Sequence, residues 1–364
     1  MKMLEGVRVL EVADGLTDFG GRILAELGAD VVTVVVDENR DHARQLAWHH
    51  GKTGLSADDP EAIRNLSRDA DIVLDGQRKG DRFDLASAVS GSDKVIYVRV
   101  APFSVHGPYA DKPATDLTLF ALSGLAHVTG EPSQPPLRFP GEQVYALTGI
   151  QAATAALLAL QARRRTGKGQ NIDVSAFQSA TLSNYREAIM YEWTGRIGRR
   201  MGNMLVRGKS GVRQIWPCKD GYVTWSMIDN PSMMRAVVAV MNECGAAGEL
   251  LSIDWDNTLV ADTPQETIER WQGVVERFFA DHTREELGKW SLERGWGLSV
   301  VYGPEEVRES EHLRERGLFV DISDETTGET KRLPGPLFQT PANATPSRNF
   351  SAPIPSASFK RWSA

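Results

Sequence analysis

Apolar positions over the first hundred residues alternate between short β-branched runs and helical spacing. Val7-Arg8-Val9-Leu10-Glu11-Val12 reads as a strand. A helix follows, capped by Asp18 and running to Gly28, with Ile23, Leu24 and Leu27 on one face. Val31 to Val36 is almost entirely β-branched, the pattern of a strand buried on both faces. Asp59-Pro60 supplies a cap and a proline at the first helical position, which predicts a helix to about Arg68. Asp71 to Leu74 and Lys94 to Val100 read as two further strands. Strands separated by helices imply parallel βαβ units and an α/β, Rossmann-like sheet.

A long helix is predicted from about Glu142 to Arg165. Its stretch Gly149 to Leu160 is apolar nearly all round, which predicts burial. Arg163, Arg164 and Arg165 complement the helix C-terminus, and Gly167 suits a left-handed cap. From about Leu205 the texture changes. Gly221 to Trp225 reads as a strand, and Thr263 to Glu266 and Thr283 to Glu286 both read as capping boxes. Trp216, Trp225 and Met227 suit either an apolar pocket lining or core packing. Beyond Leu318 the chain is proline-rich, as expected of an extended segment lying across another surface. The predicted organisation is a large domain over 1–204, a smaller α/β domain over 205–317, and an extended segment over 318–364.

Composition narrows the functional classes. The 364 residues carry 41 Lys and Arg against 48 Asp and Glu, a net charge of −7 that argues against general nucleic-acid binding. Two cysteines, Cys218 and Cys244, exclude a disulfide framework and a CxxC metal site. No leader-type apolar segment opens the chain, and no apolar run approaches the ~20 residues of a membrane span. The expectation is a soluble, cytoplasmic protein without a metal. Common phosphate-binding motifs are missing. Ala13-Asp14-Gly15-Leu16-Thr17-Asp18 is not GxGxxG, and Gly51-Lys52-Thr53 would need a glycine where Leu46 stands to complete a P-loop.

Four ordered blocks carry a resemblance. The first is Leu4 to Glu11 followed by Gly21-Arg22-Ile23-Leu24-Ala25-Glu26-Leu27-Gly28-Ala29-Asp30-Val31. The second is His106-Gly107-Pro108-Tyr109 through Pro113, then Asp116 and Ala121 to Leu125. The third is Arg165-Thr166-Gly167-Lys168-Gly169-Gln170-Asn171-Ile172-Asp173-Val174-Ser175. The fourth is Lys219-Asp220-Gly221-Tyr222-Val223, with Glu315-Arg316-Gly317 beyond it. Together they resemble the class III CoA-transferases of the CaiB/BaiF type. The resemblance implies a large Rossmann-like domain, a second, smaller domain, a C-terminal segment that returns to the large one, and an interlocked dimer. It also implies CoA or an acyl-CoA as substrate, with a carboxylic acid as the second reactant. In the family an aspartate attacks the acyl thioester to form a mixed anhydride. Some relatives instead epimerise 2-methylacyl-CoA thioesters through a histidine and an aspartate.

The chain departs from that pattern at its chemical centre. Aligned on Gly149, the nucleophile's position holds Tyr145, and the nearest carboxylate is Glu142, about one helical turn earlier. Thr115 stands where the racemase histidine would be, beside Asp116, which matches a family position but also suits the N-cap of the next helix. His127, further on, reads as a structural histidine. Arg44 and Lys52 occupy places where family cations approach CoA, and Gly76-Gln77-Arg78 replaces the turn that cradles it. Three readings follow. One is a subunit of a CoA-transferase without the nucleophile, paired with a catalytic homologous subunit in a homo- or heterodimer. Another is an acyl-CoA lyase, hydratase or isomerase/racemase using Tyr145, Asp116 or Glu142. The third is an ordinary transferase with a displaced carboxylate such as Glu142.

Overall fold

The structure, a computed structural model, describes residues 2–36, 41–76, 82–110, 112–338, 349–360 and 362. The chain divides into two compact units. One comprises 1–127, 137–198 and 311–364, and the other 128–136 and 199–310.

The first unit is built on strands β1 (Arg8–Ala13), β2 (Asp30–Val35), β3 (Thr53–Ser56), β4 (Ile72–Asp75), β5 (Ile96–Ala101) and β6 (Asn171–Ser175). Its helices are α1 (Asp18–Glu26), α2 (His42–His49), α3 (Pro60–Asp69), α4 (Leu85–Val89), α5 (Asp116–Leu122), α6 (Leu125–Val128), α7 (Gln143–Thr166), α8 (Ala176–Ser183) and α9 (Tyr185–Thr194). The strands form one six-stranded sheet in the order β3-β2-β1-β4-β5-β6. Every pairing is parallel, with Leu10 opposite Val32 on one side and Val73 on the other. The fold is therefore mixed α/β around a parallel sheet. The strand order reverses between β1 and β4, and the carboxyl ends of those two strands border a crevice where such sheets accept ligands.

Local sequence explains most of these elements. Val31, Val32, Val34 and Val35 of β2 are all buried, because helices cover both faces of the sheet. Asp59 accepts the N–H groups of Glu61 and Ala62 at 3.0 and 3.1 Å and starts α3, with Pro60 at its first position. Gly167, at φ +72°, closes α7 and donates its N–H to the Arg163 carbonyl at 2.7 Å. Other details differ from expectation. Thr17 precedes α1 as its N-cap, and Asp18 is its first residue, turned back to accept the Gly15 N–H at 3.2 Å. Burial of α7 is one-sided. Val144, Thr148, Ala152, Ala156 and Leu160 face inward, whereas Leu158 is 67% exposed. At 24 residues, with a stretch of mean hydropathy 1.4, α7 meets the length and composition of a membrane span, so the expectation of none is corrected. Here it packs against α1, β5 and α8. Gly149 lies in its second turn, where a Cβ would come within 2.8 Å of the Gly20 main chain, so α1 and α7 cross on glycine.

The second unit pairs β7 (Met204–Arg207) with β8 (Ser210–Arg213), and β9 (Ile215–Cys218) and β10 (Gly221–Thr224) with β11 (Ser299–Val300). Around them lie α10 (Pro231–Glu243), α11 (Gln265–Ala280), α12 (Arg284–Arg294) and α13 (Pro304–Glu309). Its core is aromatic. Trp216 donates its indole N–H to the Trp225 carbonyl at 2.6 Å, and Trp225 donates to Trp296 at 3.0 Å. Trp216, Trp225 and Met227 are all buried in this core. The Thr283–Glu286 capping box forms, but the one at Thr263 does not. Pro264 takes the N-cap of α11, which shifts the frame by one residue, and the Thr263 hydroxyl bonds back to Leu259.

After residue 310 the chain lies on the first unit. It forms α14 (Glu311–Glu315), the hairpin β12 (Phe319–Asp324) and β13 (Glu329–Pro334), and β14 (Asn349–Phe350). Arg22 donates to the carbonyls of Ala47, Pro334 and Gly335 and pairs with Glu26. His42 contacts the buried Asp324 carboxylate at 2.6 Å. Ile354 bridges Leu55 of β3, and Trp362 donates its indole N–H to Asp30 at 2.9 Å.

Candidate functional site

At the carboxyl end of β1 the chain turns through Asp14, Gly15, Leu16 and Thr17 into α1. The turn is held from within, because Thr17 donates to the Val12 carbonyl and the Leu16 N–H donates to Asp14 at 3.0 Å. Asp14 is exposed, with its carboxylate over the first residue after β4. That residue is the buried Gly76, where a Cβ would lie 2.3 Å from an Asp14 oxygen. Gly15 is at φ +109°, and its open side is filled by an Arg44 Nη2 and the Tyr145 ring, each 3.1 Å from where a Cβ would be.

Arg44 and Glu142 form a two-point ion pair, Nη1 to Oε1 at 2.8 Å and Nη2 to Oε2 at 2.7 Å, with both side chains about one-third exposed. Asp41 caps α2 and accepts the Arg44 N–H at 3.2 Å, which sets the arginine at the first turn of that helix. Glu142 stands at the N-cap of α7 but makes no capping bond with its side chain. That function falls to Asp116, which accepts the Tyr145 N–H at 3.0 Å across the gap between α5 and α7. The N-cap of α5 is Thr115, whose hydroxyl accepts from Thr118, so Asp116 caps its neighbour's helix and not its own.

Tyr145 points its hydroxyl toward the Ala114 carbonyl at 3.5 Å. Burial, then the charges of Asp14, Glu142 and Asp116, push the phenol up to about 12. Only about one molecule in 10⁵ would then be phenolate at pH 7. This side chain is a hydrogen-bond donor and an apolar wall.

Lys52 is placed differently from a ligand-facing cation. Its side chain is fully buried, and Nζ donates to Glu11 at 2.6 Å and to the Asp18 carbonyl at 2.8 Å. Holding an incoming phosphate would require it to release both. Glu11 is itself buried, with one oxygen lacking a hydrogen-bond partner, and burial raises its carboxyl pKa against the opposing pull of Lys52. His49, 3.7 Å from Asp18, lies in the same layer beneath the turn.

The structure therefore brings Tyr145, Glu142, Asp116, Arg44 and Gly76 to one end of β1 and β4, and places Lys52 below them. Gln77 and Arg78 lie outside the described residues. His127 sits on α6 with a ring nitrogen 3.2 Å from the Gly198 carbonyl, and no metal-binding cluster occurs among the described residues. Asp14 and Gly15 were missed by sequence reasoning, which set their turn aside as lacking GxGxxG. The available signal was their place just after the first strand of a parallel sheet.

Comparisons with known proteins converge. A family model described as CoA-transferase family III matches residues 4–356. Succinyl-CoA:(R)-benzylsuccinate CoA-transferase subunit BbsE of Thauera aromatica is 25% identical, covering 91% of this chain and 87% of that protein. Succinate--glutarate CoA-transferase of Agrobacterium fabrum is 31% identical over 65% of this chain and 66% of its own. A solved CAIB/BAIF family protein from Brucella suis superposes with a TM-score of 0.77 at 24% identity, covering 94% of each chain.

Proposed function

The chain belongs to CoA-transferase family III, and we propose that it serves CoA transfer between an acyl-CoA and a carboxylic acid as a subunit without its own attacking carboxylate. The observation that carries this reading is Tyr145. Tyr145 is a phenol held protonated, and Glu142, one turn away, is held by Arg44; in this reading Tyr145 takes the place of the family's attacking aspartate. In this reading a homologous partner subunit supplies the carboxylate. The partner's carboxylate attacks the acyl carbonyl and CoA thiolate leaves. The thiolate then attacks the resulting anhydride at the enzyme's carbonyl, which releases the first acid. The incoming acid repeats the exchange in reverse. The benzylsuccinate relative is itself named as a subunit.

In this reading CoA approaches the carboxyl ends of β1 and β4, where Arg44 and Asp14 now cover Gly15 and Gly76 and would move aside, with Arg44 as the nearest cation and Asp116 and Tyr145 shaping the wall. Lys52 supports the turn from below. A partner is supported by the apolar surface of α7 to α9, where Leu158, Leu182, Tyr185, Ile189 and Trp193 are exposed. We read this surface as covered in an interlocked dimer, and α7 as an internal helix of a cytoplasmic protein.

The test is turnover of succinyl-CoA with a dicarboxylate acceptor. The chain alone gives no exchange, and co-expression with an intact family member restores it. Turnover by the chain alone, with hydroxylamine trapping a hydroxamate on Glu142 or Asp14, overturns the reading. It would establish the second one, a transferase with a displaced carboxylate, which the exposed Asp14 at the same crevice favours.

A further inference from the structure

We propose that the first unit carries a second ligand site, for a compact phosphate-type polyanion, at the opposite end of its sheet. A cavity of about 380 Å³ opens where β1, β4 and β5 begin and where α3 and α7 end. Six-residue strands put it about 20 Å from the crevice at their carboxyl ends. Four cations line it, Arg8, Arg68, Lys94 and Arg163, against two carboxylates, Asp69 and Asp71. In a chain of net charge −7 this is a local excess of two positive charges. The C-termini of α3 and α7 add roughly half a negative charge each and Glu61 lies 3.8 Å from Arg68, so the positive charge is concentrated at Arg8, Arg163 and Lys94 around Asp71.

The cations are arranged, not merely gathered. Arg163 is fixed by the Asp71 carboxylate at 2.9 Å and by the Lys94 carbonyl at 2.8 Å. Asp71 also accepts the Arg8 N–H at 2.9 Å and faces the Arg8 guanidinium at 3.7 Å. One carboxylate thus orients two arginines while its own charge is absorbed. Arg8 remains 42% exposed in its side chain. The Lys94 side chain makes no ion pair among the described residues, and its backbone is set by the Ser92 hydroxyl. Arg68 stays at the rim, where it donates to the Ala88 carbonyl and to Asn65 and lies 3.8 Å from the Glu61 carboxylate. Fixed guanidiniums beside an exposed ammonium suit phosphate oxygens, and the volume accommodates a diphosphate or a nucleotide.

The test is calorimetric titration of the full chain with inorganic pyrophosphate and, separately, with ADP at low ionic strength. Saturable binding is expected, weakened about tenfold by Lys94→Glu and by Arg8→Glu. It should be unchanged by Arg164→Glu, which alters the charge equally outside the cavity, and unchanged by added CoA. Tighter binding of ADP identifies a nucleotide as the source of the phosphate groups, and equal binding identifies the free anion. Absence of saturation, equal loss in Arg164→Glu, or displacement of pyrophosphate by CoA overturns the proposal. Circular dichroism of each variant separates lost binding from lost folding.

Discussion

Replacing Lys52 with methionine should make stability depend steeply on pH, through Glu11. In the folded chain Glu11 is wholly buried, and Lys52 is the only side chain that hydrogen-bonds its carboxylate among the described residues. Breaking a buried pair from one side typically costs about 3–5 kcal/mol. Protonation sets a ceiling here. A carboxyl with an ordinary pKa of 4.5 needs about 3.4 kcal/mol to be protonated at pH 7, at ~1.36 kcal/mol per unit, and only about 0.7 at pH 5. The sign follows from proton counts. In the variant the folded state keeps a proton on Glu11 above pH 4.5 and the unfolded state releases it, so stability falls as pH rises. We expect Lys52→Met to lose about 3 kcal/mol at pH 7 and less than about 1 kcal/mol at pH 5. Urea unfolding, followed by a probe in the first unit, reads this difference. Asp18 and His49 also face Glu11, so Glu11→Gln/Lys52→Met is the control, and it should flatten the profile. An equal loss at both pH values, or an unchanged slope in the double variant, refutes the reasoning.

Gly76→Ala should weaken CoA binding by displacing Asp14, and destabilise the fold by about 1–3 kcal/mol, the usual range for overpacking; equilibrium dialysis with CoA and a melting curve measure the two effects. Asp324→Asn should destabilise the C-terminal hairpin near neutral pH. Burial alone would raise the Asp324 carboxyl, but hydrogen bonds from Thr326, His42 and Thr327 outweigh it and hold the carboxyl well below the usual range. The stabilisation it gives is present above pH 3.8 and is lost as pH falls toward the folded value, so wild type and variant should converge in strong acid. With the surface of α7 to α9 covered by a second chain, as proposed, Leu158→Glu combined with Trp193→Glu should leave circular dichroism unchanged and lower the light-scattering mass, because both side chains are exposed in the single chain.

Much of the parallel sheet was legible, for reasons confined to short stretches of chain. The valines of β2 and the Asp59-Pro60 start of α3 each carry their cause locally. The edge strands were not. Thr53-Gly54-Leu55-Ser56 is short and holds a glycine, and Asn171 to Ser175 exposes one face, so neither shows the apolar run of an interior strand. Around the site, the resemblance singled out Tyr145, Glu142, Asp116 and Arg44, and the structure brings these four together. They did not reveal that Asp116 caps α7, because that bond spans 29 residues. Lys52 reads in sequence as a cation approaching CoA, and only its opposition to Glu11, 41 residues earlier, places it inside. Asp14 was invisible for a related reason, since its meaning depends on β4 ending beside β1.

The return of the chain to the edge of β3 sets an order of events during synthesis. Leu55 leaves the ribosome some 300 residues before Ile354, its bridging partner. At about 5–20 residues per second, that interval is roughly 15–60 s. Throughout it, the β3 edge and the Asp30 carboxylate that will receive Trp362 await their cover, while most of the second unit emerges as one continuous stretch. The nascent chain thus presents an open strand edge for tens of seconds, which is the window in which a chaperone would be needed and in which premature truncation would be most damaging.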